Sequence, residues 1–99
     1  MVNHVVLFKL NDFPSNQKEQ IRQELVKLLS SLKEKIDVVK YIEVGANYQL
    51  EAKSYDIVLI SHFDSFNDLD KYRVHPEHLK VVKRIQETTS ERAAVDYEF

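Results

Sequence analysis

Apolar and polar residues alternate along residues 2–10. His4, Val6, Phe8 and Leu10 fall on one face, and Val5, Leu7 and Lys9 on the other. A period of two is the signature of a strand, and a strand with apolar groups on both faces requires cover on both sides. After a turn at residues 11–14 the period changes. Ile21, Leu25, Leu28, Leu29, Leu32 and Ile36 recur at helical steps, which predicts one amphipathic helix of about five turns. Ser15 or Asn16 is placed to cap it, the latter with Glu19 at capping-box spacing.

Residues 38–47 predict a second strand. Val38, Lys40, Ile42, Val44 and Ala46 share one face, while Val39, Tyr41 and Glu43 take the other. Gly45 within it marks a bulge or a close backbone approach. Residues 48–54 read as a connecting loop. Residues 55–63 predict a third strand, with Tyr55, Ile57, Leu59, Ser61 and Phe63 opposed to Asp56, Val58, Ile60 and His62. Ser65 with Asp68 resembles another capped helix start, and Phe66, Leu69 and Tyr72 share the face of the helix that follows. Pro76 lacks an N–H and drives His75 out of the α region. The helix should therefore end near Val74, and a second should start at or just after Pro76. Leu79, Val82 and Ile85 continue an apolar stripe to about residue 88. In residues 92–99, Ala93, Val95, Tyr97 and Phe99 alternate with Ala94, Asp96 and Glu98 as a last strand.

The order β-α-β-β-α-β predicts an α+β, ferredoxin-like fold: a four-stranded antiparallel sheet with its helices on one face. Residues 1–99 then form a single domain. Three strands carry apolar residues on both faces, so a monomer would expose a patch larger than soluble monomers tolerate. A homodimer packed through the open sheet face is expected.

Composition narrows the function. The 99 residues carry a net charge of −2, with cations dispersed along the chain, which leaves no footprint for nucleic acid. Cysteine is absent, which excludes disulfides, a thiol nucleophile and a Cys-bound zinc. The N-terminal pattern is not that of a signal peptide, no apolar run reaches the roughly 20 residues of a membrane span, and a cytoplasmic protein is expected.

The chemistry concentrates in Tyr72-Arg73-Val74-His75-Pro76-Glu77-His78. His78 has an ordinary pKa near neutrality and suits general acid–base work. A nearby Tyr72 hydroxyl would orient the imidazole or donate to a developing oxyanion. The bland alternative has His78 bonding a backbone carbonyl at the helix corner and Tyr72 filling the core. His75 is expected to end the first helical piece or to bond across the corner. His4, which shares a face with Phe8, is a candidate for a pocket wall. His62 lies on a strand next to that of His4, but two histidines without a carboxylate at fixed spacing do not make a metal site. No metal or cofactor is expected.

With these motifs in place, the chain resembles the stress-responsive A/B barrel domain family of dimeric α+β barrels. The resemblance rests on Asn3-His4-Val5-Val6-Leu7-Phe8-Lys9-Leu10, on Tyr55-Asp56-Ile57-Val58-Leu59 and, most specifically, on residues 72–78. It implies a homodimer whose sheets close into a barrel. It also implies, from a plant polyketide cyclase of the family, cofactor-independent proton transfer next to a carbonyl, with His78 and Tyr72 as the catalytic pair. His4, His75 and Phe8 would line the substrate pocket for a small molecule. Two other readings stand beside this one: a non-catalytic, stress-associated ligand-binding or structural dimer, and a cofactor-free monooxygenase or haem-degrading enzyme that shares only the fold.

Overall fold

The computed structural model describes residues 1–49 and 53–99, so part of the predicted 48–54 loop lies outside the described residues. The elements run β1 (Val2–Leu10), α1 (Ser15–Ser30), α2 (Leu32–Lys35), β2 (Tyr41–Ala46), β3 (Ile57–Phe63), α3 (Phe66–Val74), α4 (Pro76–Thr88) and β4 (Thr89–Glu98). The strands form one antiparallel sheet in the order β2-β3-β1-β4. This is the expected ferredoxin-like arrangement.

Strand alternation divides β1 and β3 cleanly. Val2, His4, Val6, Phe8 and Leu10 are buried beneath the helices, and so are Ile57, Leu59, Ser61 and Phe63. Ile21, Leu25 and Leu29 of α1, Leu32 of α2, Leu69 and Tyr72 of α3, and Val81 and Ile85 of α4 complete that core. On the other face, Val5 pairs across to Ile60 and Val95, and Leu7 to Val58 and Ala93. Among the described residues no element covers those rows.

Several local expectations change. The single long helix breaks at Ser31, whose hydroxyl donates to the Leu28 carbonyl at 2.7 Å, a bond that competes with the helical ladder. Neither Ser15 nor Asn16 caps α1. Pro14 occupies the cap position without a side-chain bond, and Glu19 instead accepts from Arg22 Nε at 2.9 Å. The second strand begins at Tyr41 rather than residue 38, because Val39 turns into the core as the chain rounds the corner after Ile36. Gly45 is a close approach: β2 and β3 stay in register through it, and a Cβ there would meet Val58 Cγ1 at 3.2 Å. The irregularity in the sheet falls at Lys9/Leu10 against β4. Buried Asp56 supports that point by accepting the Leu10 N–H at 2.7 Å.

The third strand starts at Ile57 and the last at Thr89. Phe66 and Leu79 are exposed; the buried line on α4 runs Val81, Ile85, Thr88. Ser65 caps α3 as expected, accepting from the Asp68 N–H at 3.1 Å. The corner between α3 and α4 falls at His75, with Pro76 opening α4.

Candidate functional site

Pro76 generates the site. A proline cannot donate to the end of α3, so the last carbonyls of that helix need other partners. His78, one turn into α4, supplies one: its Nδ1 lies 3.0 Å from the Arg73 carbonyl oxygen. A carbonyl only accepts, so Nδ1 carries the hydrogen, and in the neutral ring the lone pair sits on Nε2. His75 has the opposite arrangement. Its Nδ1 accepts the Glu77 N–H at 3.1 Å and caps α4, which places its ring hydrogen on Nε2. His75 does not line the main cavity; its work is at the corner, where it ends α3 with its N–H on the Tyr72 carbonyl and caps α4 with its ring.

Tyr72 is fully buried, and its ring packs 4.3 Å from that of His78, 5.0 Å from Phe63 and 6.1 Å from His4, measured between centroids. Among the described residues its hydroxyl has no hydrogen-bond partner. The Tyr72 hydroxyl therefore does not bond His78, and the two rings pack tilted at 38°. Burial drives the phenol far above its ordinary pKa.

His4 brings in two residues that the sequence reading passed over. The sheet register sets His4 opposite Asp96, and His4 Nδ1 bonds the Asp96 carboxylate. Arg73 Nη2 donates to the other Asp96 oxygen at 2.6 Å. Asp96 sat visibly on one face of the last strand, but only the cross-strand register reveals that it meets His4. A carboxylate at Nδ1 again leaves the lone pair on Nε2. Burial pushes the His4 pKa down, against the Asp96 hydrogen bond that pulls it up. Burial also pushes His78 down, against its backbone bond. Burial thus favours the neutral form of both rings. His62 lies on the outer face, stacked 4.6 Å from Tyr41 and tilted against Phe99 at 4.7 Å. It is adjacent to the His4 strand but on the other side of the sheet.

Beside His4 and His78 opens a cavity of about 400 Å³ between the sheet and α4. Val6, Phe8, Leu29, Leu59, Val82 and Ile85 form its apolar wall, and Gln86, Ser90 and Arg92 stand at its exposed side. Of the sequence-derived candidates, His4, His78 and Phe8 meet at this cavity, Tyr72 lies behind the His78 ring, and His75 stands apart. Among the described residues no group of three His, Cys, Asp or Glu could hold a metal ion, and no helix is long and apolar enough to cross a membrane.

The family model for the stress responsive A/B barrel domain matches residues 2–99. A stress-response A/B barrel domain-containing protein of Arabidopsis thaliana, DABB1, is 32% identical across 98% of the chain; the match spans 46% of that protein, so the chain covers about half the length of this relative. An uncharacterized protein of Streptomyces coelicolor is 30% identical over the full length of both. Among solved structures, a dimeric protein of unknown function with a ferredoxin-like fold from Bacteroides fragilis superimposes with a TM-score of 0.90 at 40% identity, covering 99% of this chain and 95% of that one.

Proposed function

The chain belongs to the stress-responsive A/B barrel domain family, and from that premise we propose a homodimer in which each subunit binds a small molecule and His78 acts as a general base next to a carbonyl. The observation that carries this reading is the fixed tautomer of His78. The Arg73 carbonyl at 3.0 Å holds the Nδ1 hydrogen, leaving Nε2 as the basic nitrogen of a ring that lines a cavity of about 400 Å³. That volume is in the range of small-molecule sites.

The steps follow from the groups present. An apolar substrate enters between the sheet and α4, and its carbonyl activates the adjacent C–H. His78 Nε2 takes that proton and becomes an imidazolium, which the Arg73 carbonyl stabilises through the Nδ1 hydrogen. The same nitrogen then returns the proton at a new position, giving isomerisation, or hands it to an oxygen formed on ring closure, giving cyclisation. His4, braced by Asp96 and Arg73, offers its own Nε2 as an acceptor that orients a substrate hydroxyl. Tyr72 acts as a positioning residue through its ring, because its hydroxyl is buried behind His78 and not on the cavity wall.

The dimer is supported by the uncovered rows around Val5, Leu7, Val58 and Ile60 and by the dimeric state of the Bacteroides protein.

A direct test uses 2-octanone in D2O and follows loss of its α-proton signals by NMR. The protein should accelerate exchange, and His78→Ala should lower that acceleration by about 10²–10⁴-fold while the fold persists. The rate should rise with pH through a value below about 6.5, the ordinary histidine pKa, since only the neutral ring accepts a proton. Equal exchange with His78→Ala would remove His78 from the role.

A further inference from the structure

Arg92 stands where a neutral apolar pocket would not need it. Its cross-strand neighbour is Phe8, so it shares the helix-facing side with His4 and Phe8 and lines the cavity from its exposed side. Each of the other arginines holds a carboxylate: Arg22 with Glu19, Arg73 with Asp70 and Asp96, and Arg84 with Glu24. Among the described residues Arg92 has no such partner.

Among the described residues, neither acid nearest along the strand pairs with Arg92. Asp96 is held by His4 on one oxygen and Arg73 on the other. Glu91 stands across from Lys9 and also borders the cavity, yet among the described residues no ion pair joins it to Arg92. The charge of Arg92 also reaches the ring groups of the site: after burial, its field is among the influences on His4, Tyr72 and His78. A guanidinium offers a planar fork of donors matched to a carboxylate.

We propose that Arg92 is the anion-recognition residue of the cavity and that its ligands are small apolar carboxylates, with the acid at Arg92 and the hydrocarbon body against Val6, Phe8, Leu59 and Ile85. The inference rests on the ligand site described under the proposed function. It adds the substrate class: an apolar acid whose reacting carbon reaches His78 while its carboxylate stays at the solvent side. Gln86 and Ser90, beside Arg92 on the same wall, supply neutral polar neighbours that do not compete for its charge.

The test compares octanoate with octanamide, its neutral analogue of the same length, by NMR titration of the wild-type protein, Arg92→Gln and Arg92→Lys. Octanoate should bind the wild type about 10- to 100-fold more tightly than octanamide, the worth of a charge-assisted hydrogen-bonded pair. Arg92→Gln should remove that preference and leave octanamide affinity unchanged, and Arg92→Lys should keep part of it. If octanamide binds as well as octanoate, or if Arg92→Gln weakens both equally, the role of Arg92 is overturned while the cavity remains a ligand site. If neither binds, the ligand site falls as well and the assignment of Arg92 with it.

Discussion

His4 and His78 reach the same protonation pattern by different means, one through a carboxylate on a neighbouring strand and the other through a carbonyl at a helix end. Burial lowers both pKa values below the unfolded-state value, which fixes the sign of a pH effect. Below about 6.5 the unfolded chain takes up protons that the folded rings resist. The stability that depends on their neutrality is complete above that pH and is lost as the pH falls through their folded values. Urea unfolding between pH 7.5 and 5.5 should show this decline, and His4→Gln and His78→Gln should each flatten it; an unchanged slope in both would contradict the burial of neutral rings. Tyr72 gives a second prediction at this scale. Its hydroxyl is buried with no partner among the described residues, a state that costs about 1–3 kcal/mol. Tyr72→Phe should leave stability unchanged or raise it by about 1 kcal/mol, whereas Tyr72→Ala should cost about 3–5 kcal/mol, as for other large aromatics in a core. A loss of stability in Tyr72→Phe would mean the hydroxyl is bonded after all. Strand parity put His4 and Phe8 on one face and the proline corner singled out His78, both local facts; that His4 and His78 border one pocket was implied by the resemblance to the family. The sequence did not show Asp96 meeting His4, because that contact depends on the register between β1 and β4.

At the scale of elements, the α3–α4 corner joins fold and site. Pro76 ends one helix and starts the next, and the groups left unpaired there are taken up by His75 on one side and His78 on the other. The division of labour has a consequence. His75→Ala should cost about 0.5–2 kcal/mol, the usual worth of a helix cap, without shifting the His78 titration followed by NMR. A large shift would tie His75 to the site. The corner was legible because proline acts on its immediate neighbours. The break at Ser31 and the rotation of α4, which buries Val81 and exposes Leu79, were not. The repeat of Leu79, Val82 and Ile85 is compatible with more than one face, and which face turns inward is decided by packing against the sheet and α1. The Val82 side of the stripe ended up on the cavity, so the same repeat served both core and site.

For the whole molecule, the two-faced strands were the most informative feature of the sequence. One face is filled by the helices. The other leaves Val95 61% and Phe99 60% exposed, with Tyr41 and Tyr97 beside them, and burying such a patch is the driving force expected for association. Ile60 sits in the central row, between Glu43 and Val5. Ile60→Lys should therefore convert a dimer to a monomer in sedimentation velocity while the helix-side core stays folded, because the substitution leaves that core untouched. A wild-type protein that sediments as a monomer at micromolar concentration would remove the dimer. The cavity lies on the helix side of the sheet, so a monomeric variant should still contain it.

The most direct test of the site is the protonation state of the His78 ring nitrogens, read by nitrogen-15 NMR of the imidazole above its pKa. The hydrogen is expected on Nδ1, held by the Arg73 carbonyl, with Nε2 unprotonated and a titration midpoint below about 6.5. A hydrogen found on Nε2 would mean that the basic nitrogen is turned to the backbone instead of the cavity, and His78 could not be the base.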